Sequence, residues 1–243
     1  MAGDWLIDLG HSRIKWARSG NNGLLEHAGS SPIEQPGPLE TLLLDAPGGR
    51  AWASAQSRPE AIDWLSALAR DRGLELTVLA TGNADLPVAP GYAGLGSDRW
   101  LAMQWPWQQT GSALCVIDCG TALTVDVVDD AGRHSGGWIM AGLATARASL
   151  LAKAPGLPRR LTTTDASERP ARDSTQAITS GTALQMAGAI ERAVDAATAE
   201  LGKDPVVWVT GGDATAIMPL IRIQATTDEH LVLRGLAMAA NRC

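Results

Sequence analysis

Apolar and polar positions alternate along this chain in a way that predicts strands and helices in two similar halves. Near the start, Trp5-Leu-Ile-Asp8-Leu-Gly10 is a short apolar run closed by an acid and a glycine. Such a run reads as a buried strand, and the glycine permits a tight turn after it. Strand character resumes at Ile14-Lys15-Trp16-Ala17. The plan repeats half a chain later, where Ala113-Leu-Cys-Val-Ile-Asp118-Cys-Gly120-Thr121 leads into Leu123-Thr-Val-Asp-Val-Val128. Two copies of one hairpin-led unit are therefore expected.

Each half continues with alternating elements. Residues 51–55 and 74–79 read as strands, and a helix is expected from Pro59, a favoured first-turn residue, to Leu68. A further helix is predicted from Ser97 to Trp105, stopping before Pro106. In the second half Leu184, Ala187, Ile190, Val194, Ala197 and Leu201 recur at helical spacing, with Gly202 as the stop. Val206–Thr210 reads as a strand, and Gly211-Gly212-Asp213 opens the next helix. Residues 154–175, rich in Pro, Arg and Thr without a period, read as a surface excursion. The class is α/β, with lobes at 1–112 and 113–243.

Composition narrows the function. Hydrophobic residues make up 45% of 243 and charged residues 19%, ordinary for a water-soluble domain. The net charge of −6 argues against nucleic acid or an anionic membrane as partner. Cys115, Cys119 and Cys243 do not make a disulfide framework, and the four histidines lack zinc-ligand spacing. No basic leader or membrane-length apolar stretch is evident, so a cytoplasmic protein is expected.

The repeated turns carry the candidate chemistry. After each strand an acid is followed by glycine and a hydroxyl residue, Ser12 in the first loop and Thr121 in the second. Backbone N–H groups bared by glycine can face phosphate oxygens, while the acid suits a cation rather than the phosphate. Either loop alone reads equally as a turn in which Asp accepts local backbone N–H groups. The repetition, with Lys15 behind the first loop, points to a polyphosphate clamp. The paired Gly211-Gly212 would let a flat adenosine lie on the backbone, though alone they read as a strand-to-helix turn. At Gly96-Ser97-Asp98-Arg99 a helix would open with Ser97 near its N-cap and Asp98 in its first turn.

In order, these motifs resemble the acetate and sugar kinase, Hsp70 and actin superfamily. The finer resemblance is to type III pantothenate kinases, also known as Baf-type proteins. It is carried by Asp8-Leu-Gly-His-Ser-Arg-Ile-Lys15, Leu95-Gly-Ser-Asp-Arg-Trp-Leu-Ala102, Asp118-Cys-Gly-Thr-Ala-Leu-Thr-Val-Asp126, Gly136-Gly-Trp-Ile-Met-Ala-Gly142, Thr210-Gly-Gly-Asp-Ala214 and Leu231-Val-Leu-Arg-Gly-Leu236. Departures are His11-Ser12 for the family's Asn-Thr, Ala141 for a proline, and Asp173-Ser174 for an Asn-Thr pair.

The resemblance implies two ribonuclease-H-like, actin-like lobes with an interlobe active-site cleft, and phosphorylation of pantothenate by ATP. It implies ATP contacts at Asp8, Leu9, Gly10, His11, Ser12, Arg13, Ile14, Lys15 and Thr121. Pantothenate contacts are implied at Tyr92, Gly96, Ser97, Asp98 and Arg99, and at Ser174, which would reach across a homodimer. Asp98 would be the general base and Arg99 a fork for the substrate carboxylate. Asp118 would hold a monovalent cation, K⁺ or NH₄⁺, with Mg²⁺ arriving on ATP. Without the resemblance, Asp98 reads as an ordinary first-turn acid and Arg99 as a surface residue. Two alternatives stay open here: a catalytically weakened Baf-type regulatory protein, and an acyl or sugar kinase of the same superfamily.

Overall fold

The computed structural model describes residues 3–20, 24–44, 48–55, 59–158, 160–161 and 165–242. They divide into two compact units. The first comprises Met1–Gly111, Gly132–His134 and His230–Cys243; the second comprises Ser112–Ala131 and Ser135–Glu229. The first passage between units lies at Gly111-Ser112. The chain's last segment, however, folds with the first unit.

In the first unit, β1 (Trp5–Leu9), β2 (Arg13–Ser19), β3 (Leu25–Pro32), β4 (Gly49–Ala55) and β5 (Leu74–Val78) form one sheet in the order β3-β2-β1-β4-β5. β1 pairs antiparallel with β2 and parallel with β4. Its residues are buried throughout, because the sheet is covered on both faces. Trp5, Ile7, Leu9, Ala51 and Ala53 point to one face, where Leu39 and Leu43 of α1 (Gly37–Leu44) and Leu65 and Leu68 of α2 (Pro59–Asp71) join them in a core. By alternation Leu6, Asp8, Trp52 and Ser54 take the opposite face. Helices α3 (Ser97–Thr110) and α7 (Leu231–Ala240) contact this sheet. They cross so closely that a Cβ on Gly235 would lie 2.3 Å from the Leu101 carbonyl oxygen.

The second unit repeats the plan. Strands β6 (Leu114–Cys119), β7 (Ala122–Val128), β8 (His134–Ala141), β9 (Val206–Thr210) and β10 (Thr226–Thr227) run β8-β7-β6-β9-β10, the same order with the same central strand. β6 pairs antiparallel with β7 and parallel with β9. Helix α5 (Ser174–Leu201) buries Ala183, Met186, Ala187, Ile190 and Val194 in a core with Ile117, Val125 and Val209. Helices α4 (Leu143–Lys153) and α6 (Ala214–Ile217) complete it.

Two expectations are corrected. Helix α3 does not stop before Pro106 but carries it inside, continuing to a left-handed Gly111 that donates to the Trp107 carbonyl. Its buried residues, Leu101, Ala102, Met103 and Pro106 among them, hold the helix through the missing N–H. Ser97 stands beside the N-cap of α3, as the sequence placed it. Gly96 is the N-cap, and Ser97 is buried in the first turn. Helix α5 begins at Ser174, inside the stretch expected to be irregular, because the Asp173 carboxylate caps it by accepting the Gln176 N–H at 2.9 Å.

Candidate active site

The first loop closes where Gly10 N–H donates to the Arg13 carbonyl at 3.0 Å, leaving His11 and Ser12 exposed at the tip. Arg13 donates to the Ser30 hydroxyl at 2.6 Å. Leu9 and Ile14 are buried in strands and hold the loop rather than face solvent. Asp8, buried near the end of β1, stands opposite Lys15 on β2 and Ser54 on β4. Directly opposed residues share a face, with Cβ atoms about 5 Å apart. The cation expected to serve phosphate is therefore held beside the acid expected to serve a metal.

Ser54 links this loop to the start of α3. Its hydroxyl oxygen lies 3.5 Å from that of Ser97, the first residue of α3. Asp98 follows in the first turn, where the helix dipole favours a carboxylate. Its Oδ1 folds back so far that a Cβ on Gly96 would lie 2.6 Å away. Glycine at 96 thus leaves room for the carboxylate at the helix entrance. Arg99 is 9% exposed, and its Nη1 donates to the Tyr92 hydroxyl oxygen at 2.9 Å. The structure thereby brings Tyr92 to the helix start.

Tyr92 rides on an irregular stretch between β5 and α3 that is pinned at several points. Thr81 Oγ1 donates to the Leu95 carbonyl at 2.6 Å. Val88 is held at both ends: its N–H donates to Gln104 Oε1 at 2.8 Å, and its carbonyl accepts from Trp100 Nε1 at 2.7 Å and Gln104 Nε2 at 3.2 Å. Trp100 is core.

In the second unit the same geometry recurs. Gly120 N–H donates to the Ala122 carbonyl at 3.1 Å, and Asp118 stands opposite Thr210 as Asp8 stands opposite Ser54. Two neighbours sew this loop in place. From α4's entrance, Gly142 N–H and Thr145 Oγ1 donate to the Thr121 carbonyl at 3.1 and 2.7 Å. From the paired glycines, Asp213 N–H donates to the Cys119 carbonyl at 2.9 Å. Burial raises the Asp213 carboxyl above its ordinary range, against the pull of Arg147 and the Leu143 N–H. Arg147 is anchored on α5, donating to Thr182 Oγ1 and the Thr179 carbonyl, each at 3.1 Å.

Asp118 lies in a cradle of bare backbone. A Cβ on Gly120 would come 3.3 Å from its Oδ1, and one on Gly211 2.5 Å. Both glycines leave room for the carboxylate, and a carboxylate oxygen is the kind of ligand a hard cation takes. Among the described residues no three His, Cys, Asp or Glu side chains gather into a metal cage. A Mg²⁺ ion held largely by water and ATP oxygens needs none.

Ser174 begins α5 and lines a groove of about 340 Å³ with Leu150, Leu157, Ile178 and Thr182. Ser54 and Arg147 carry no expectation from the sequence. A polar residue next to last in an otherwise apolar run was the available signal for Ser54.

A family model of type III pantothenate kinases matches residues 5–196. The chain belongs to the type III pantothenate kinase family. A type III pantothenate kinase of Alkalilimnicola ehrlichii is 34% identical, over 97% of this chain and 97% of that protein. One from Stenotrophomonas maltophilia is 35% identical over 96% of each. Among solved structures, a conserved Baf family protein from Campylobacter jejuni superposes with a TM-score of 0.66 at 19% identity, over 98% of this chain and 97% of that one. A ROK family glucokinase from Streptomyces griseus gives 0.51 at 12%, over 99% and 98%. These likenesses show the actin-like kinase fold that the family motifs implied. The family departures fall at exposed positions: His11 at a loop tip, Ala141 at a strand end, Asp173 as a helix cap.

Proposed function

We propose that this protein transfers the γ-phosphoryl group of MgATP to the primary hydroxyl of pantothenate, giving 4′-phosphopantothenate and ADP. The observation that carries this reading is the chain of neighbours from Asp8 through Ser54 to Ser97 and Asp98. It supports this reading because the first Asp-x-Gly turn and the start of α3 lie together beyond the C-terminal ends of the parallel strands β1 and β4, where α/β folds bind ligands.

In this reading Asp98 accepts the hydroxyl proton as the oxygen attacks phosphorus and the bond to the ADP oxygen breaks. The remaining chemistry is positioning and charge neutralisation. Lys15 and the Gly10–Ser12 turn hold phosphate oxygens, and Arg99 with Tyr92 receives the pantothenate carboxylate. Asp118 would hold K⁺ or NH₄⁺ in its glycine cradle, a cation that screens phosphate charge without demanding rigid geometry.

A homodimer fits the large apolar side chains left exposed on the second unit, Trp138, Ile139, Leu150 and Leu184, and would bring a second chain to the groove beside Ser174. Among the described residues no helix is long and apolar enough to cross a membrane. We place the protein in the cytoplasm, where ATP and K⁺ abound. A regulatory protein without turnover is not favoured, since the family departures leave Asp8, Asp98, Arg99 and Asp118 in place.

The test is phosphoryl transfer from MgATP to pantothenate by purified protein, in potassium and in sodium alone. Turnover requiring potassium supports both the reaction and the Asp118 cation. Folded protein that is inactive in both salts overturns the kinase reading. Turnover equal in both salts removes the cation alone.

A further inference from the structure

Residues Gly132–His134, though they follow β7 in sequence, fold with the first unit. They join the stretch that carries Tyr92 as a short parallel bridge. Ala89 N–H donates to the Gly132 carbonyl at 2.8 Å, and His134 N–H donates to the Ala89 carbonyl at 3.1 Å. The His134 side chain is 4% exposed, and its ring centroid lies 5.7 Å from that of Tyr92 with the planes tilted by 40°. The chain beside Tyr92 is pressed onto this histidine. A Cβ on Gly91 would lie 2.1 Å from the His134 carbonyl oxygen and 3.2 Å from Nδ1.

Tyr92 is 46% exposed, so solvent alone would leave its ring free to swing. Two contacts restrain it: the tilted face of His134 and the hydrogen bond from Arg99. Tilted aromatic pairs at this separation are favourable beyond the area they bury. Arg99 in turn keeps one arm of its guanidinium on the Tyr92 oxygen, which fixes the plane of the guanidinium fork.

We propose that His134 is a positioning residue for the carboxylate-binding end of the site, fixing Tyr92 so that Tyr92 orients Arg99. This rests on the pantothenate reading for its substrate. The contact itself is testable without turnover, because Tyr92 is the single tyrosine of the chain. Ring-¹³C tyrosine labelling of the full protein therefore gives one set of ring signals, shifted by whatever aromatic face lies against it.

His134→Ala should move those signals and raise the KM for pantothenate about three- to tenfold, the range one aromatic pair is worth. The KM for ATP should stay at its wild-type value. His134→Phe, which keeps a ring against Tyr92, should restore most of the pantothenate KM. If His134→Ala does not fold, His134→Leu replaces it, filling the space without an aromatic face. Unchanged Tyr92 signals with unchanged pantothenate KM overturn the proposal. So does an equal rise in both KM values that Phe does not rescue, since that marks a general loss of structure. Absence of pantothenate turnover in the wild-type protein overturns the functional reading instead, while the tyrosine signals still decide the contact.

Discussion

Ser54 and Ser97 approach within 3.5 Å through their hydroxyl oxygens, both buried, one next to last in β4 and the other starting α3. Ser54 stands beside Asp8 in the sheet and Ser97 precedes Asp98 in the chain. Two carboxylates far apart in sequence are thus set by one small polar contact, and a bulkier pair of side chains would push the helix entrance off the strand end.

Asp98→Asn should keep the fold, since an amide of the same shape fits the space left by Gly96. It removes the proton acceptor, and kcat should fall roughly a hundred- to ten-thousand-fold, the usual contribution of a general base. Steady-state kinetics beside a thermal melt checks this. Near-normal kcat in the folded variant would remove Asp98 from that role.

Gly211→Ala tests the cradle at Asp118. The position has φ +96°, and the added Cβ would lie 2.5 Å from Asp118 Oδ1 and from the Cys119 carbonyl oxygen. Strain of this kind costs of order 1–3 kcal/mol. We expect lower denaturant resistance together with weaker ATP binding by calorimetry. A variant that binds ATP normally would separate the paired glycines from the nucleotide.

Gln104→Leu probes the support of the Tyr92 stretch. The side chain is fully buried and bonds Val88 at both its N–H and its carbonyl. Leucine fills the space and leaves the buried Val88 N–H without that acceptor, at a cost of about 1–3 kcal/mol. Urea denaturation should register that loss, and the pantothenate KM should rise more than the ATP KM.

Cys115 and Cys119 give a pH prediction. Burial, and then the charge of Asp126 on Cys115 and of Asp118 and Asp213 on Cys119, push both thiols up to about 12 from an ordinary 9.0. The folded protein keeps protons there that the unfolded chain releases, so this stability is full below pH 9 and is lost as pH rises towards 12. In a Cys243→Ser background, a thiol reagent at pH 8 should label neither cysteine until denaturant is added. Prompt labelling of the native protein would contradict the burial.

The alternation of apolar residues and the repeated Asp-x-Gly turns were enough to predict both central strands, their hairpins and the two-fold internal plan. Buried central strands and glycine turns have strong local causes, and those causes can be read from neighbouring residues. Helix α3 could not be bounded in this way, because Pro106 is tolerated only through packing that the local sequence does not contain. The start of α5 was hidden similarly, its cap Asp173 lying in a stretch with no period.

For the candidate site, the sequence alone determined which residue types are present and on which turns they ride: Asp8, Lys15, Asp98, Arg99, Asp118 and Thr121. Register and packing decided the rest. Only strand pairing sets Lys15 and Ser54 beside Asp8. Only the folded stretch between β5 and α3 gives Tyr92 to Arg99 and lays His134 against it. Contacts between residues distant in the chain depend on how strands pair and helices cross, and that choice is made by the whole core rather than by any local run of residues.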